Sequence, residues 1–117
     1  MNEVGKTYER PWGTYRTIEL GSNYQIKHII VHPNKRLSLQ YHHHRDEHWT
    51  VIKGQGVAQV DDETINMGVN DSIVISKLSK HRISNHGEDD LEFIEIQIGE
   101  YLGEDDIVRI EDDFDRI

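Results

Sequence analysis

The sequence contains no cysteine and only two prolines, and none of its apolar runs approaches the length of a membrane span. Without cysteine there is neither a disulfide framework nor a thiolate metal site, so any metal must be held by histidine, carboxylate or amide groups. Such short runs exclude a transmembrane helix. The polar N-terminal residues also lack the apolar segment of a secretory signal. We therefore expect a cytoplasmic protein with no membrane partner.

A basic excess is missing as well. The chain has 13 Lys and Arg against 22 Asp and Glu, a net charge of −9. This argues against a nucleic-acid partner, which would require a basic face. The acid excess is concentrated in residues 99–117, where eight acids and two bases give −6, so that 14 acids and 11 bases elsewhere give only −3. The body of the chain therefore has room for a positive pocket that takes an anionic ligand.

A helical period of 3.6 is not sustained anywhere in the chain. Its 117 residues suffice for one domain, residues 1–117. Apolar stretches rich in Ile, Val and Tyr recur every 8–12 residues or so, with turn residues between them. They are Tyr15–Leu20, Tyr24–Val31, Leu37–Tyr41, His48–Ile52, Gly56–Val60, Glu63–Met67, Ser72–Ile75, His81–Ser84 and Leu91–Ile98. This pattern predicts an all-β jelly-roll sandwich or barrel, with a short helical turn near Glu104–Asp112.

The segment Leu37–Trp49 contains three consecutive histidines beside other ligand-type side chains. Residues two apart face the same side of a strand, so Gln40 and His42 would share a face. A turn after His42 would bring Glu47 beside them, and His81 on a later strand would complete four nitrogen and oxygen ligands. Such a set suits zinc, manganese, iron, cobalt or nickel. The alternative is that the histidines are solvated turn residues with no ligand.

The spacing of these residues resembles the two motifs of the cupin family. The motifs read Asn34-x5-Gln40-x-His42-x4-Glu47-x6-Gly54 and Asn70-x5-Ser76-x-Leu78-x2-His81-x3-Asn85. Cupins usually have His where Gln40 stands, and Gly where Asn34 and Asn70 stand. The resemblance implies a double-stranded β-helix, a jelly-roll barrel with the metal inside.

A longer series of motifs resembles the cupin domain of type II mannose-6-phosphate isomerases. In order along nearly the whole chain, the motifs are Arg10-Pro11-Trp12-Gly13, Leu37-Ser38-Leu39-Gln40-Tyr41-His42-His43-His44-Arg45, Glu47-His48-Trp49, His81-Arg82 and Tyr101-Leu102-Gly103-Glu104-Asp105-Asp106-Ile107-Val108-Arg109. Family members often carry an N-terminal nucleotidyltransferase domain, for which this chain has neither the length nor a Gly-rich phosphate loop. We therefore expect no guanylyl transfer from it. Its ending, Asp112 to Arg116, also departs from the Tyr-Gly-Arg ending that is commoner in the family.

This resemblance implies a metal-dependent isomerase that interconverts mannose 6-phosphate and fructose 6-phosphate through an enediol and supplies GDP-mannose synthesis. The family's ligands carry over onto Gln40, His42, Glu47 and His81, which would hold one divalent ion. Zinc is the first choice, with manganese, cobalt, nickel or iron as alternatives. The ion would polarise the substrate's oxygens, and a base would move the proton between two carbons.

The substrate's phosphate would need arginine or lysine. The candidates are Arg10, Lys27, Arg45 and Arg82. Alternation along its strand would point Lys27 into the cavity, where it is also a catalytic candidate, unless it is a surface lysine. Arg82 follows His81 and so faces away from it in a regular strand. Arg10 has a structural role instead if Trp12 packs the N-terminal segment on the barrel.

Candidates for the base are His44 and a residue of the stretch Leu91–Ile98. In that stretch Glu95 and Gln97 share one face, and three isoleucines share the other. An apolar row is normally the core face, which would place Glu95 and Gln97 outside. A polar cavity around a metal would instead take both inside, with Glu95 as a base and Gln97 as a ligand of the sugar.

Two other functions remain open at this point. A cupin that kept the ligands but lost the base would be a non-catalytic sugar-phosphate or metabolite-binding protein, and two histidines with one carboxylate also suit an iron oxygenase. We expect a homodimer with edge strands paired across a two-fold axis. The acidic segment Glu100–Asp115 would be a solvated face or a partner contact, because Glu104-Asp105-Asp106 lacks the spacing of a calcium loop.

Overall fold

The computed structural model describes residues 2–117, which form eleven strands and no helix, so this range contains no helix that would cross a membrane. The strands are β1 (Thr7–Arg10), β2 (Gly13–Leu20), β3 (Tyr24–Val31), β4 (Leu39–Tyr41), β5 (Arg45–Lys53), β6 (Gly56–Val60), β7 (Glu63–Met67), β8 (Ser72–Ile75), β9 (His81–Ser84), β10 (Leu91–Gly99) and β11 (Val108–Glu111). Five of the nine predicted strands have the expected bounds, and the other four differ by one to three residues.

The strands form two antiparallel sheets, which confirms the all-β prediction. One sheet has the order β1-β2-β3-β10-β5-β8, and the other has the order β11-β4-β9-β6-β7. The inward faces of both sheets enclose the core, and each sheet keeps two edge strands. The homodimer stays a prediction.

The C-terminal segment differs from its prediction. Residues 104–105 form a turn, and the predicted helical turn at Glu104–Asp112 is replaced by β11. In β11, Val108 and Arg109 lie opposite Tyr41 and Gln40 of β4. An isolated helical turn is marginal, whereas the unpaired edge of β4 offers ready hydrogen-bond partners. The edge strand β1, also missed by the sequence reading, pairs with β2 in the same way.

The interior of the barrel is divided into an apolar half and a polar half. In β10 the inward side chains run from Leu91 and Phe93 to Glu95 and Gln97. The facing strand β3 runs antiparallel, from Val31 and Ile29 to Lys27 and Gln25, so each apolar residue lies opposite an apolar one and each polar residue opposite a polar one. On the other flank of β10, Trp49 and Val51 of β5 belong to the apolar half and Glu47 to the polar half. The candidate site lies in the polar half.

This division decides which face of β10 is buried. Glu95 is 5% exposed and Gln97 is 0% exposed, whereas Ile98 on the opposite face is 42% exposed. The expectation that an isoleucine row marks the core was therefore wrong for this strand. The isoleucines lie on the outside of the sheet because Glu95 and Gln97, on the other face of the strand, fill the polar half of the barrel interior.

A glycine at the end of β10 lets the strand pass close to the histidine segment. Gly99 lies opposite Arg45, the first residue of β5. A Cβ atom at Gly99 would clash with the backbone carbonyl oxygen of His44 and with the Arg45 backbone. Only glycine therefore allows this approach, which fixes the turn between β4 and β5.

Candidate metal centre and anion-binding cavity

Three ligand-type side chains meet in the polar half of the barrel. His42 follows β4, Glu47 lies on β5 and His81 begins β9, and each is 2% exposed. The Nε2 atom of His42 is 3.2 Å from Glu47 Oε2, and the Nε2 atom of His81 is 3.6 Å from Glu47 Oε1. One donor atom from each residue lies within 4.8 Å of the other two. The separate stretches identified from the sequence therefore converge.

The hydrogen bonds of both imidazoles fix which nitrogen faces the centre. His42 Nδ1 lies 2.6 Å from the backbone carbonyl oxygen of Asp106, and His81 Nδ1 lies 2.8 Å from that of Ser79. A carbonyl oxygen only accepts, so each Nδ1 carries the proton and each neutral ring keeps its Nε2 lone pair. Two such nitrogens thus lie beside one carboxylate. This donor set therefore fits a divalent metal, and backbone partners of this kind commonly orient histidine ligands.

Gln40 stands beside this group. It lies directly opposite His81 in the ladder between β4 and β9, so both side chains are on the same face. Its amide nitrogen donates to Ser38 Oγ at 3.0 Å. Gln40 also lines the cavity.

Arg45 bonds to the same ligand atoms. Its Nε donates to Glu47 Oε2 at 2.9 Å, and its Nη2 donates to His42 Nε2 at 3.3 Å. The guanidinium thus supplies positive charge next to the ligand atoms. Its Nη1 is buried with no hydrogen-bond partner in the described chain.

The charge states suit metal binding. Burial raises the pKa of Glu47, but the neighbouring His42, His81 and Arg45 side chains outweigh it and hold that pKa well below its ordinary value. Burial also lowers the pKa of His81, against the attraction of Glu47. The centre therefore presents an ionised carboxylate, and burial favours the neutral imidazole of His81.

A second buried carboxyl group lies next to Glu47. The indole Nε1 of Trp49 donates to Glu47 Oε1 at 3.1 Å and to Glu95 Oε1 at 3.0 Å, and Gln97 donates to Glu95 Oε2 at 2.8 Å. Burial and the nearby charge of Glu47 raise the pKa of Glu95 to about 7. A carboxyl group in this range can give or take a proton near neutral pH.

Lys27 lies inside the barrel but has a resident partner. Its side chain is 6% exposed, and its Nζ lies 2.5 Å from Glu104 Oε1 and 4.3 Å from the centre of the Tyr15 ring. Asn2 also donates to Glu104, at 2.7 Å. Burial raises the pKa of Glu104, but Lys27 and Asn2 lower it to about 2 overall.

The remaining predicted residues occupy different environments. Arg10 lines the cavity and donates to the Tyr15 hydroxyl at 3.2 Å. Arg82 reaches the cavity wall, but its guanidinium donates to the Leu37 carbonyl oxygen and to Glu111, both at 3.1 Å.

Two predicted residues are not at the cavity wall. Gln97 is enclosed between Gln25, which donates to it at 2.9 Å, and Glu95, so it does not face a ligand as predicted. His44 is exposed, and its ring packs edge-on against Tyr101. The turn between β4 and β5 points His42 inward and His44 outward, which removes His44 from the candidate bases.

The acidic C-terminal segment is part of the site, which the sequence analysis missed. Besides Glu104, the side chains of Arg109 and Arg116 line the cavity. The Asp106 carboxylate accepts from the backbone nitrogens of His43 and His44 at 3.0 and 2.9 Å. The expectation of a solvated face was therefore wrong for these residues. The family motif from Tyr101 to Arg109 was the signal that could have located Glu104, Asp106 and Arg109.

Comparison with known proteins decides the family. The family described as "Mannose-6-phosphate isomerase C-terminal" matches residues 1–112. The chain belongs to this family. It is 50% identical over 107 residues to the alginate biosynthesis protein AlgA of Pseudomonas aeruginosa, covering 92% of this chain and 22% of AlgA. It is 44% identical over 108 residues to the mannose-1-phosphate guanylyltransferase ManC of Salmonella typhimurium, again covering 92% and 22%. The chain thus spans about a quarter of the length of these relatives.

Solved structures confirm the cupin fold. An oxalate decarboxylase of Bacillus subtilis is similar with a TM-score of 0.78 and 18% identity, covering 90% of this chain and 30% of that one. The capsular polysaccharide assembling protein CapF of Staphylococcus aureus gives 0.75 and 23%, covering 92% and 32%. A Klebsiella pneumoniae protein with a double-stranded β-helix domain gives 0.73 and 15%, covering 96% and 90%.

The comparisons also correct the predicted function. The prediction that this chain by itself interconverts mannose 6-phosphate and fructose 6-phosphate was wrong. The relatives are alginate and xanthan biosynthesis proteins and mannose-1-phosphate guanylyltransferases, and the chain corresponds to a small part of each. What the comparisons support is membership in a family of sugar-phosphate enzymes, of which this chain represents the cupin domain.

Proposed function

We propose that the chain is a metal-centred domain that binds a phosphorylated sugar. The observation that carries the proposal is the convergence of His42, Glu47 and His81, with both imidazoles turned so that their lone pairs face one carboxylate. Gln40 supplies a fourth ligand, and Arg45 closes one side of the centre.

The metal is a single divalent ion, with zinc as our first choice. Two imidazole nitrogens, one carboxylate and one amide oxygen leave coordination positions open for oxygens of the sugar. Manganese suits the same donor set. The oxalate decarboxylase of Bacillus subtilis has Mn(II) centres. When bound, the ion attracts and polarises hydroxyl or carbonyl oxygens of the sugar.

The sugar phosphate is proposed from charge and from the names of the relatives. Six lysine and arginine side chains line the cavity among the described residues, against three glutamates, although the whole chain has a net charge of −9. A basic cavity in an acidic protein favours an anionic ligand. The family name and the guanylyltransferase relatives both refer to mannose phosphates, which makes a mannose phosphate the ligand we propose.

The test is a titration with mannose 6-phosphate followed by tryptophan fluorescence, since Trp12 and Trp49 line the cavity. We expect saturable binding in the presence of Zn²⁺ or Mn²⁺, and at least tenfold weaker binding after chelation, because the sugar oxygens lose the ion. Binding that is the same with and without metal, or no binding with metal present, would overturn the proposal. The variant His81→Ala, measured with metal, should behave like the chelated protein.

A further inference from the structure

The cations of the cavity differ in whether they already have an acidic partner. Lys27 pairs with Glu104 at 2.5 Å, Arg45 with Glu47 at 2.9 Å, and Arg82 with Glu111 at 3.1 Å. A lysine or arginine neutralised in this way attracts an incoming phosphate weakly. These pairs therefore argue against Lys27, Arg45 and Arg82 as the main phosphate ligands expected from the sequence.

Among the described residues, two cations of the cavity lack such a partner, Arg10 and Arg109. No carboxylate in the described chain forms a salt bridge with Arg109, and its Nε is buried with no hydrogen-bond partner, as are Nη1 of Arg45 and Nη2 of Arg82 on the two paired arginines. An unpaired buried donor on a charged group is costly unless a ligand satisfies it. The guanidinium is thus suited to receive an acceptor that the protein itself does not provide.

Two further arginines accompany Arg109 at the cavity. Arg10 donates only to the Glu9 carbonyl oxygen and the Tyr15 hydroxyl, so its charge is not neutralised by these bonds. Arg116 is paired with Asp112 through Nε and Nη2 at 2.6 and 3.0 Å, so it is a weak candidate for the same reason as Lys27, Arg45 and Arg82. Burial and the like charges of Arg116 and Arg10 lower the pKa of Arg109, against the opposite effect of the Asp112 and Glu104 charges. Arg109 and Arg10, which come from opposite ends of the chain, therefore both line the cavity without an acidic partner among the described residues.

The sheet register relates Arg109 to the metal centre. Arg109 of β11 lies opposite Gln40 of β4, and Gln40 lies opposite His81 of β9, so the three side chains share one face. Neighbouring strands are about 4.8 Å apart, which places the backbone of Arg109 roughly 10 Å from that of His81. A phosphate on the terminal carbon of a hexose can span such a separation while the other end of the sugar reaches the metal.

From this arrangement we infer that Arg109, together with Arg10, binds the phosphate group of the sugar ligand. The inference rests on the proposed function and adds the orientation of the sugar in the cavity. The phosphate points toward the C-terminal segment, and the first carbons of the sugar point toward Glu47 and Glu95. Arg109 presents donors in a planar fork, which matches phosphate oxygens better than an ammonium group does.

The test compares Arg109→Gln with Arg16→Gln, a matched control in which the arginine lies on β2 away from the cavity wall. With metal present, we expect Arg109→Gln to weaken mannose 6-phosphate binding about tenfold or more, as for loss of a hydrogen bond to a charged group. Binding of unphosphorylated mannose and of the metal should not change. Arg109→Lys should restore only part of the affinity. Arg10→Gln gives an independent reading if the Arg109 variants do not fold.

The outcomes separate this inference from the proposed function. If the unsubstituted protein binds mannose 6-phosphate but Arg109→Gln and Arg10→Gln bind it as well as Arg16→Gln does, the inference fails and the proposed function stands. If mannose 6-phosphate does not bind at all, the proposed function fails. Inorganic phosphate, titrated into metal-free protein and followed by ³¹P resonance, then decides the inference. If the phosphate resonance broadens with Arg16→Gln but not with Arg109→Gln, the inference is supported. If the two variants broaden it equally, the inference is overturned.

Discussion

The imidazole Nδ1 of His42 donates to the backbone carbonyl oxygen of Asp106 at 2.6 Å, a contact between residues 64 positions apart. Through this bond the C-terminal segment orients a candidate metal ligand. The same aspartate accepts from the backbone nitrogens of His43 and His44, so its backbone and side chain together hold the turn between β4 and β5. The metal centre therefore depends on residues that follow the last strand of the larger sheet.

The first prediction concerns the Asp106 side chain. Replacing it in Asp106→Ala removes both hydrogen bonds to the turn, and groups that orient metal ligands typically contribute 10- to 100-fold to affinity. We expect metal affinity, measured by calorimetric titration, to fall by at least about tenfold. The control is Asp105→Ala, because Asp105 bonds to Tyr101 on the surface instead. Equal affinities in the two variants would contradict the orienting role.

The second prediction concerns acid stability. The folded-state pKa of Glu104 is about 2, against an ordinary value of 4.5, because Lys27 and Asn2 favour the ionised form over the effect of burial. A lowered folded-state pKa adds stability that is fully present above about pH 4.5 and is lost as the pH falls toward 2. The difference in free energy of unfolding between the unsubstituted protein and Glu104→Gln should therefore shrink between these values.

Urea unfolding at about pH 7, 4.5 and 3 measures this difference. The control is Glu88→Gln, which replaces an exposed glutamate. A Glu104→Gln difference that is independent of pH would show that the Lys27 pair does not stabilise the fold.

The third prediction concerns the close approach at Gly99. In Gly99→Ala the added methyl group meets backbone atoms of His44 and Arg45, which cannot move aside as a flexible side chain would. We expect a loss of stability of about 1–3 kcal/mol, as for other overpacked sites, together with weaker metal binding. Gly68→Ala is the matched control, because the nearest atom to a Cβ there is 3.9 Å away. Thermal unfolding that is the same for both variants would refute the steric argument.

The fourth prediction tests which face of β10 is buried. Phe93→Ala should cost about 3–5 kcal/mol in free energy of unfolding, the usual effect of removing a buried aromatic ring. Ile98→Ala on the opposite face should stay within about 0.5 kcal/mol, as expected for a surface position. The two values come from denaturant unfolding under identical conditions. The reverse order would mean that the isoleucine row is the core face after all.

The sequence allowed most of the fold to be predicted because its signals are local. Alternation along Tyr24–Val31 and the turn residues between stretches located nine of the eleven strands. The spacing of His42 and Glu47 also sufficed to predict that they meet, since one short turn connects their strands. His81 needed the family motif, because no local pattern brings a distant strand to this place.

The missed features depend on contacts between distant segments. The strands β1 and β11 have four residues each and pair along open sheet edges that only the fold reveals. The side chain of Glu95 points inward because other strands contribute polar residues to that half of the barrel. The sequence of one amphipathic strand does not reveal this. Lys27 pointed inward as alternation suggested, but its partner Glu104 lies 77 residues away. The pairing state of each arginine, which decides where an anion binds, is likewise a property of the folded chain.

The most direct test of the account is the number of metal ions held by the purified chain. After loading with Zn²⁺ or Mn²⁺ and removal of free metal, elemental analysis should give one ion per chain, and Glu47→Gln and His81→Ala should retain almost none while keeping the β-sheet circular dichroism of the unsubstituted protein. A chain that retains no metal, or folded variants that keep one ion each, would contradict a centre built on these residues.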